Sequence, residues 1–169
     1  ACLGVVCDIT QPDQVQACLR TALDRFGAID ILVNNAGISW GAPVLEMPLE
    51  RWRQVLETNL TGTFLVTQAV GRLMIERRRG KIINITSLAG LLGDPPEILD
   101  AIGYSTAKGG LVAFTRDLAV KWARYNVYVN AIAPAFFPTR MSQAVLRRVQ
   151  REVEAQIPLG RIGRPGELK

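Results

Sequence analysis

Short runs of β-branched and other apolar residues alternate along this chain with longer segments whose apolar residues recur at helical spacing. Such alternation is typical of parallel β-sheets whose strands are joined by crossover helices. The pattern therefore predicts an α/β fold. The predicted strands cover residues 3–7, 29–34, 81–85 and 128–133, and the predicted helices cover 13–26, 49–78 and 104–125.

Glycine and proline residues predict where these elements end. Gly27 and Gly80 are expected to end the first and second helices, because glycine adopts the backbone conformation that closes a helix. Residues 94–103 contain two consecutive prolines and are expected to form an exposed loop.

The composition is that of a soluble globular domain. The chain has 169 residues, of which 49% are hydrophobic and 21% charged, so a single domain is expected. Its apolar runs are far shorter than the roughly 20 residues of a membrane-spanning helix, which predicts a cytoplasmic protein without a membrane partner. The chain has three cysteines, Cys2, Cys7 and Cys18, an odd number that we expect to remain reduced. It has no histidine to complete a zinc site, so no metal site is expected.

The net charge of +5 raises the question of a nucleic-acid partner. The basic residues form two clusters, at 77–81 and 147–151, and the first follows a predicted helix, where cations interact favourably with the helix dipole. Neither cluster is interleaved with the aromatic residues that stack on single-stranded bases. We therefore predict solvated helix faces and no nucleic-acid partner.

Tyr104 and Lys108 form the strongest local signal for chemistry. Four residues apart on a predicted helix, their side chains lie on one face and can meet. A lysine ammonium beside a tyrosine is expected to stabilise the phenolate and lower the tyrosine pKa, so that the hydroxyl can exchange a proton with an alcohol or carbonyl. Taken alone, a tyrosine and a lysine at this spacing are more often two surface side chains without a catalytic role.

Polar and small residues follow three of the predicted strands. Residues 34–37 (Asn-Asn-Ala-Gly) end one strand, Ser87 follows the next, and residues 134–139 follow the last. In an open parallel sheet, ligands bind outside the carboxyl ends of the strands. These residues are therefore expected to converge with Tyr104 and Lys108 at one edge.

Together these motifs, in this order, resemble the short-chain dehydrogenase/reductase family over the whole chain. The resemblance implies a Rossmann-like doubly wound parallel sheet and an enzyme that interconverts a secondary alcohol and a ketone by hydride transfer with NAD or NADP. The gluconate 5-dehydrogenase-like branch, or the 3-oxoacyl-[acyl-carrier-protein] reductase-like branch, is the nearest in pattern. The substrate is then a sugar acid or a 3-oxoacyl thioester.

The resemblance also assigns a catalytic set. Tyr104 would be the general acid or base, and Ser87 would donate a hydrogen bond to the substrate oxygen. Lys108 would lower the tyrosine pKa and hold the nicotinamide ribose, and Asn59 would help to hold a water linked to the lysine.

The same resemblance places the cofactor. Asp8 would contact its adenine end, with Ile9 packed beside it. Asn34, Ala36 and Gly37 match the motif that stabilises the central sheet and lets the backbone approach the cofactor, and Pro134 and Thr139 match the segment that binds the nicotinamide carboxamide. The implied cofactor-binding residues are Asp8, Ile9, Asn34, Ala36, Gly37, Tyr104, Lys108, Pro134 and Thr139. The family commonly forms tetramers through the two longest helices, so a homotetramer or homodimer is implied.

The chain also departs from the family pattern. The first two strands with their glycine-rich phosphate turn, and the last strand, are absent, so residues 1–169 are expected to form a single partial NAD(P)-binding Rossmann domain. The residue that would choose between NAD and NADP is absent too. The segment 3–7 would then lack neighbouring strands. An inactive truncated remnant, acting only as an oligomerisation or interaction partner, is the alternative function.

Two local departures concern the substrate. Tyr104 follows Ser87 by 17 positions, a longer spacing than the family's usual one, and the added length falls at 93–97, where it is expected to shape the pocket wall. Ala135 stands where the family usually has glycine. Arg140 is interpreted either as an ordinary surface arginine or as a partner for a substrate carboxylate.

Overall fold

The computed structural model describes residues 2–168. Helices and parallel strands alternate along them, as the sequence predicts. The elements are, in order, α1 (Pro12–Phe26), β1 (Ile31–Asn34), a 3₁₀ turn (Val44–Glu46), α2 (Leu49–Leu56), a π-helical turn (Glu57–Thr61), α3 (Gly62–Glu76), β2 (Gly80–Ile85), a second 3₁₀ turn (Leu88–Gly90), α4 (Ile102–Trp122), a third 3₁₀ turn (Ala123–Tyr125), β3 (Val127–Ile132) and α5 (Gln143–Gln156).

The three strands form one parallel sheet in the order β1-β2-β3. Leu32 of β1 lies opposite Ile82 of β2, which lies opposite Val129 of β3. Because all three strands run the same way, their carboxyl ends meet at one edge of the sheet, where the sequence places its polar motifs. The predicted α/β fold is confirmed.

The core lies between one face of the sheet and helices α3 and α4. Side chains alternate between the two faces of a strand, so every second strand residue contributes to this face. Met74 and Ile82 at its centre are fully buried. The buried apolar cluster consists of Val70, Met74, Ile82, Leu118, Val127 and Val129.

The opposite face of the sheet is open in the described part of the chain. Ile31 and Val33 are 57% and 51% exposed, and Tyr128 of β3 is 59% exposed. These residues occupy the alternate positions along their strands, so the exposure follows from the pleat of the sheet.

The prediction of a strand at residues 3–7 is wrong. Within residues 2–168 this segment pairs with no strand, and most of its side chains, including those of Leu3 and Val5, are exposed. A strand is stabilised by ladder hydrogen bonds to a neighbour, which this segment does not have. Cys2, Cys7 and Cys18 form no disulfide.

The predicted helix 49–78 is correct in its beginning but not in its continuity. The π-helical turn Glu57–Thr61 interrupts it, and α3 ends at Glu76. Gly80 does not end the helix, because Arg78 adopts the left-handed conformation (φ +50°) and Gly80 begins β2. A Cβ on Gly80 would stand 2.4 Å from the Met74 sulfur, so this glycine is needed for packing. Gly27 ends α1 as predicted, with φ +75°.

The segment 94–103 is less exposed than its prolines suggest. Ile98 and Ala101 are only 4% and 3% exposed, and α4 already begins at Ile102. The two prolines are exposed, whereas the side chains of Ile98 and Ala101 are buried. The prediction of an exposed loop is therefore wrong for the second half of this segment. None of the helices in residues 2–168 is both long and apolar enough to cross a membrane.

Candidate active site

A cavity of about 280 Å³ lies at the carboxyl edge of the sheet. Segments that follow β1, β2 and β3 line it together with the start of α4, so the predicted convergence of these motifs is confirmed. Among its lining residues are Asn35, Ser87, Tyr104, Pro134 and Thr139. Asp94 and Leu99 also line it, so the added length between Ser87 and Tyr104 does form part of the cavity wall.

Ser87 and Tyr104 bring two hydroxyl groups into this cavity. Ser87 lies just beyond β2 in an extended conformation and caps the 3₁₀ turn by accepting a hydrogen bond from the Ala89 amide at 3.3 Å. Tyr104 lies in the first turn of α4 and is half-buried. Burial raises the pKa of Tyr104 above its usual value of 10.0, and a side-chain hydrogen bond with Ser87 lowers the pKa by a smaller amount.

Lys108 lies one helical turn after Tyr104 and is only 4% exposed. Its Nζ donates a hydrogen bond to the Ile85 carbonyl at 2.7 Å and lies 5.6 Å from the centre of the Tyr104 ring. Burial lowers the pKa of Lys108 from 10.5 to about 8, because a buried ammonium loses its hydration. The side chains of Tyr104 and Lys108 do meet, as their spacing predicts.

The structure reverses the direction expected for the tyrosine pKa. The Lys108 ammonium was expected to lower the pKa of Tyr104, yet the net shift of that pKa is upward. Burial of the phenol disfavours the charged phenolate, and this effect outweighs the hydrogen bond with Ser87. Tyr104 is therefore a protonated hydroxyl at neutral pH.

Gly90 allows the serine turn to approach the lysine. A Cβ on Gly90 would stand 2.5 Å from the Lys108 carbonyl carbon and 2.6 Å from the Gly109 nitrogen, so no larger residue fits without moving backbone. This residue was not predicted from the sequence. Its only signal is a glycine three positions after Ser87.

Asn59 lies in the π-helical turn and is fully buried. Its Oδ1 accepts a hydrogen bond from the Ile38 amide at 2.7 Å, and its Nδ2 donates one to the Ile38 carbonyl at 2.8 Å. These two bonds fix the backbone that follows the Asn-Ala-Gly segment. Single π-helical turns inside α-helices are frequent at functional sites.

Gly37 lies beside both the Asn59 side-chain amide and the Lys108 ammonium. A Cβ at position 37 would stand 3.0 Å from Asn59 Oδ1 and 3.6 Å from Lys108 Nζ. Lys108, Asn59 and Gly37 therefore form one cluster beside the cavity. The preceding Ala36 is exposed.

Asn34 serves the interior of the fold. It is 9% exposed, and its Nδ2 donates to Thr67 Oγ1 at 2.9 Å and to Asn84 Oδ1 at 2.8 Å. Asn84 in turn donates to Thr115 Oγ1 at 2.9 Å. These bonds join β1, β2, α3 and α4, so Asn34 stabilises the central sheet, as the resemblance implies. The roles of Thr67, Asn84 and Thr115 in these hydrogen bonds were not predicted from the sequence. The available signal was a polar residue, Asn84, at a core-facing position of β2.

Pro134 and Thr139 lie in the segment after β3. The Leu88 amide donates to the Pro134 carbonyl at 3.0 Å, which ties this segment to the serine turn. The Thr139 hydroxyl lies 3.0 Å from Ser142 Oγ, within hydrogen-bonding distance. Both residues line the cavity with Ser87 and Tyr104.

Asp8 and Ile9 lie outside the cavity. Asp8 is exposed, and its Oδ1 accepts hydrogen bonds from the amide and the hydroxyl of Thr10, which lower the pKa of Asp8. Ile9 packs against the long helix, since a Cβ on Gly62 would stand 2.7 Å from Ile9 Cγ1. Their contact with a cofactor remains a prediction.

Comparisons with known proteins address the fold and the family. The family described as "short chain dehydrogenase" matches residues 1–150. The chain belongs to the short-chain dehydrogenase family. A 3-oxoacyl-[acyl-carrier-protein] reductase from Synechocystis sp. is 42% identical over 167 residues, which cover 98% of this chain and 64% of the relative.

Solved structures of the family agree with this fold. A short-chain type dehydrogenase/reductase from Mycobacterium marinum superposes with a TM-score of 0.92 at 38% identity, over 98% of this chain and 65% of the other. A gluconate 5-dehydrogenase from Burkholderia cenocepacia J2315, in complex with NADP and tartrate, gives a TM-score of 0.87 at 37% identity, over 93% and 61%. The sheet is thus Rossmann-like, and the chain spans less than two thirds of the length of these proteins.

Proposed function

We propose that the full-length protein is an NAD(P)-dependent oxidoreductase that interconverts a secondary alcohol and a ketone by hydride transfer. The observation that carries the proposal is the convergence of Ser87 and Tyr104 in one cavity, with Lys108 one helical turn behind the tyrosine. Residues 1–169 would be a single partial NAD(P)-binding domain of this enzyme, which would act in the cytoplasm.

The residues present fit a nicotinamide cofactor. When bound, the cofactor supplies or accepts the hydride. Gly37 supports the fit, because a side chain there would crowd Asn59 and Lys108, the residue proposed to hold the ribose. Pro134 and Thr139 would hold the carboxamide end, and Asp8, Ile9, Asn34 and Ala36 would complete or support the site.

The catalytic roles follow from the hydroxyl groups. Ser87 would donate a hydrogen bond to the substrate oxygen and hold it beside Tyr104. Since burial raises the pKa of Tyr104, this residue keeps its proton at neutral pH and can donate it to a carbonyl oxygen during reduction. Lys108 and Asn59 would keep the tyrosine and the neighbouring backbone in place.

The substrate would be a sugar acid or a 3-oxoacyl thioester. The first is suggested by the similarity to the Burkholderia cenocepacia gluconate 5-dehydrogenase, and the second by the similarity to the Synechocystis reductase. The cavity does not choose between them, since apolar side chains such as Leu88 and Phe136 make up most of its lining and Ser87, Asp94 and Thr139 add polar groups. The cofactor would be NAD or NADP.

Titration with NADH and with NADPH tests this proposal. We expect the full-length protein to bind one of them with a dissociation constant in the micromolar range or below, as measured by the fluorescence of the reduced nicotinamide. It should oxidise that nucleotide when a ketone is added. Absence of binding to either nucleotide would contradict the proposal and favour the inactive remnant, which would act only through a partner. The preferred nucleotide would decide between NAD and NADP.

A homo-oligomer, either a dimer or a tetramer, is the proposed assembly. The continuous segment formed by α2, the π-helical turn and α3 carries the exposed apolar residues Leu49 and Phe64, and α4 carries Val120. A second copy of the chain would cover these side chains. Sedimentation of the full-length protein at several concentrations should give a mass of two or four chains. A strictly monomeric protein would contradict this assembly.

A further inference from the structure

A second depression adjoins the cavity that holds Ser87 and Tyr104. We call it the outer groove; its volume is about 960 Å³. The two share Ser39, Leu99, Met141 and Val145 as lining residues, so they lie side by side. A substrate whose reacting carbon lies beside Ser87 and Tyr104 would pass these four residues to reach the outer groove.

The outer groove differs in charge from the cavity that holds Ser87 and Tyr104, which we call the inner cavity. Asp94 is the only charged residue among the described residues that line the inner cavity. A substrate carboxylate or phosphate placed there would be repelled by the Asp94 carboxylate in a partly desolvated site. The outer groove has two arginines, Arg140 and Arg148, and one acidic residue, Asp100, among its lining residues.

The two arginines have donors available for a ligand. Arg148 donates one hydrogen bond, from Nη2 to the Glu97 carbonyl at 3.2 Å, which holds α5 near the loop on the other side of the groove. In the part of the chain that the structure describes, neither guanidinium forms an ion pair. A guanidinium carries five N–H donors and binds carboxylate or phosphate oxygens in pairs.

We propose that Arg140 and Arg148 bind an anionic group at the far end of the substrate, while its reacting carbonyl lies beside Ser87 and Tyr104. This inference rests on the proposed oxidoreductase function and adds a specificity site to it. The outer groove then selects ketones that carry a remote negative charge, and Asp94 prevents the charged end from entering first.

The shared chemistry of the ligand is an anionic oxygen group. It can be the carboxylate of a sugar acid or a phosphate of the carrier of an acyl thioester. A neutral ketone of the same length would lack the interaction with the arginines. The two sources therefore need separate substrates in the test.

The test compares Arg140→Gln and Arg148→Gln with the wild-type full-length protein. Arg147→Gln is the matched control, because Arg147 lies on the same helix as Arg148 but does not line the outer groove. Two pairs of substrates are used: 5-ketogluconate with the uncharged keto sugar fructose, and acetoacetyl-CoA with the uncharged ethyl acetoacetate.

We expect each groove variant to raise KM about tenfold for the anionic member of at least one pair, roughly the loss of one charge-assisted hydrogen bond. Its kcat, and the KM of the neutral member, should stay within about twofold of wild type. A rise for 5-ketogluconate alone identifies a carboxylate, and a rise for acetoacetyl-CoA alone identifies a phosphate.

An unchanged KM for both anionic substrates would overturn the inference while leaving the oxidoreductase function intact. So would an equal rise for the anionic and neutral members of a pair, or a rise of the same size in Arg147→Gln. Failure of the wild-type protein to turn over any of the four compounds, although it binds a nucleotide, would overturn the inference alone, and absence of binding to either nucleotide would overturn the function as well.

Discussion

The Asn59 side chain holds both polar atoms of the Ile38 peptide backbone, accepting from its amide at 2.7 Å and donating to its carbonyl at 2.8 Å. Asn59 lies in the π-helical turn, and Ile38 follows Gly37 in the loop after β1. The pair ties the long helical segment to the loop beside Lys108. We therefore expect Asn59 to affect the reaction indirectly, by fixing the backbone at residues 37 and 38 beside Lys108.

Replacement of Asn59 by leucine should therefore reduce both activity and stability. The variant leaves the Ile38 amide and carbonyl without their partner, at a cost of about 2–4 kcal/mol in the free energy of unfolding. We expect kcat to fall at least tenfold in steady-state assays. The control is Gln68→Leu, an exposed amide on α3, which should change neither quantity appreciably. Wild-type kcat in Asn59→Leu would contradict this role.

Gly37→Ala should weaken nicotinamide binding more than it weakens the fold. The new Cβ would stand 3.0 Å from Asn59 Oδ1, which must shift by a few tenths of an ångström, and 3.6 Å from Nζ of Lys108, the residue proposed to hold the cofactor ribose. We expect the dissociation constant for the preferred nucleotide to rise about tenfold, roughly 1.4 kcal/mol. Gly93→Ala is the control, since nothing lies within 4 Å of a Cβ there. Equal affinities in the two variants would contradict the prediction.

Thr115→Val tests the hydrogen bonds that join the sheet to its helices. Valine keeps the shape of threonine but leaves the buried Asn84 amide without its acceptor, at a cost of about 1–3 kcal/mol in the free energy of unfolding. Thr21→Val is a matched control, because Thr21 also bonds to a carbonyl four residues earlier, but on the exposed face of α1. Chemical denaturation should show a loss for Thr115→Val alone; equal midpoints in the two variants would contradict it.

The positions of the functional residues were predictable from the sequence to a large extent. Ser87 and residues 134–139 follow strands, and the strands are parallel, so the edge where these residues meet follows from the fold class alone. The spacing of Tyr104 and Lys108 was sufficient to predict that they meet. These arguments need only local periodicity and sheet direction.

Other features depend on packing that local sequence does not encode. The interruption of the long helix at Asn59 reflects hydrogen bonds to Ile38, which is 21 positions away in the chain. The upward shift of the tyrosine pKa depends on how deeply Tyr104 is buried. The predicted strand at 3–7 failed because its propensity is strand-like but no neighbour offers it a ladder in residues 2–168.

The low pKa of Lys108 should appear as a pH dependence of stability. The Lys108 pKa is about 8 in the folded protein and 10.5 for the unperturbed group, so between these values the unfolded chain binds more protons. The contribution of this residue to stability is therefore greatest above pH 10.5 and is lost as pH falls through 8. Its size is on the order of 3 kcal/mol.

Lys108→Met removes this titration. We expect the free energy of unfolding of the wild type, relative to that of the variant, to rise between pH 8 and pH 10.5, as measured by urea denaturation at a series of pH values. Subtracting the variant cancels the other titrating groups. A constant difference across that window would show that the lysine pKa is not lowered in the fold.

The hydroxyl of Tyr104 is the proposed proton donor, and Tyr104→Phe in the full-length protein removes it alone. We measure ketone reduction together with the dissociation constant of the preferred nucleotide, using Tyr125→Phe, which lies outside the cavity, as the control. We expect kcat to fall roughly 10²–10⁴-fold, as for removal of a general acid, with nucleotide affinity within about twofold of wild type. Substantial residual turnover in Tyr104→Phe, with the nucleotide still bound, would contradict the account.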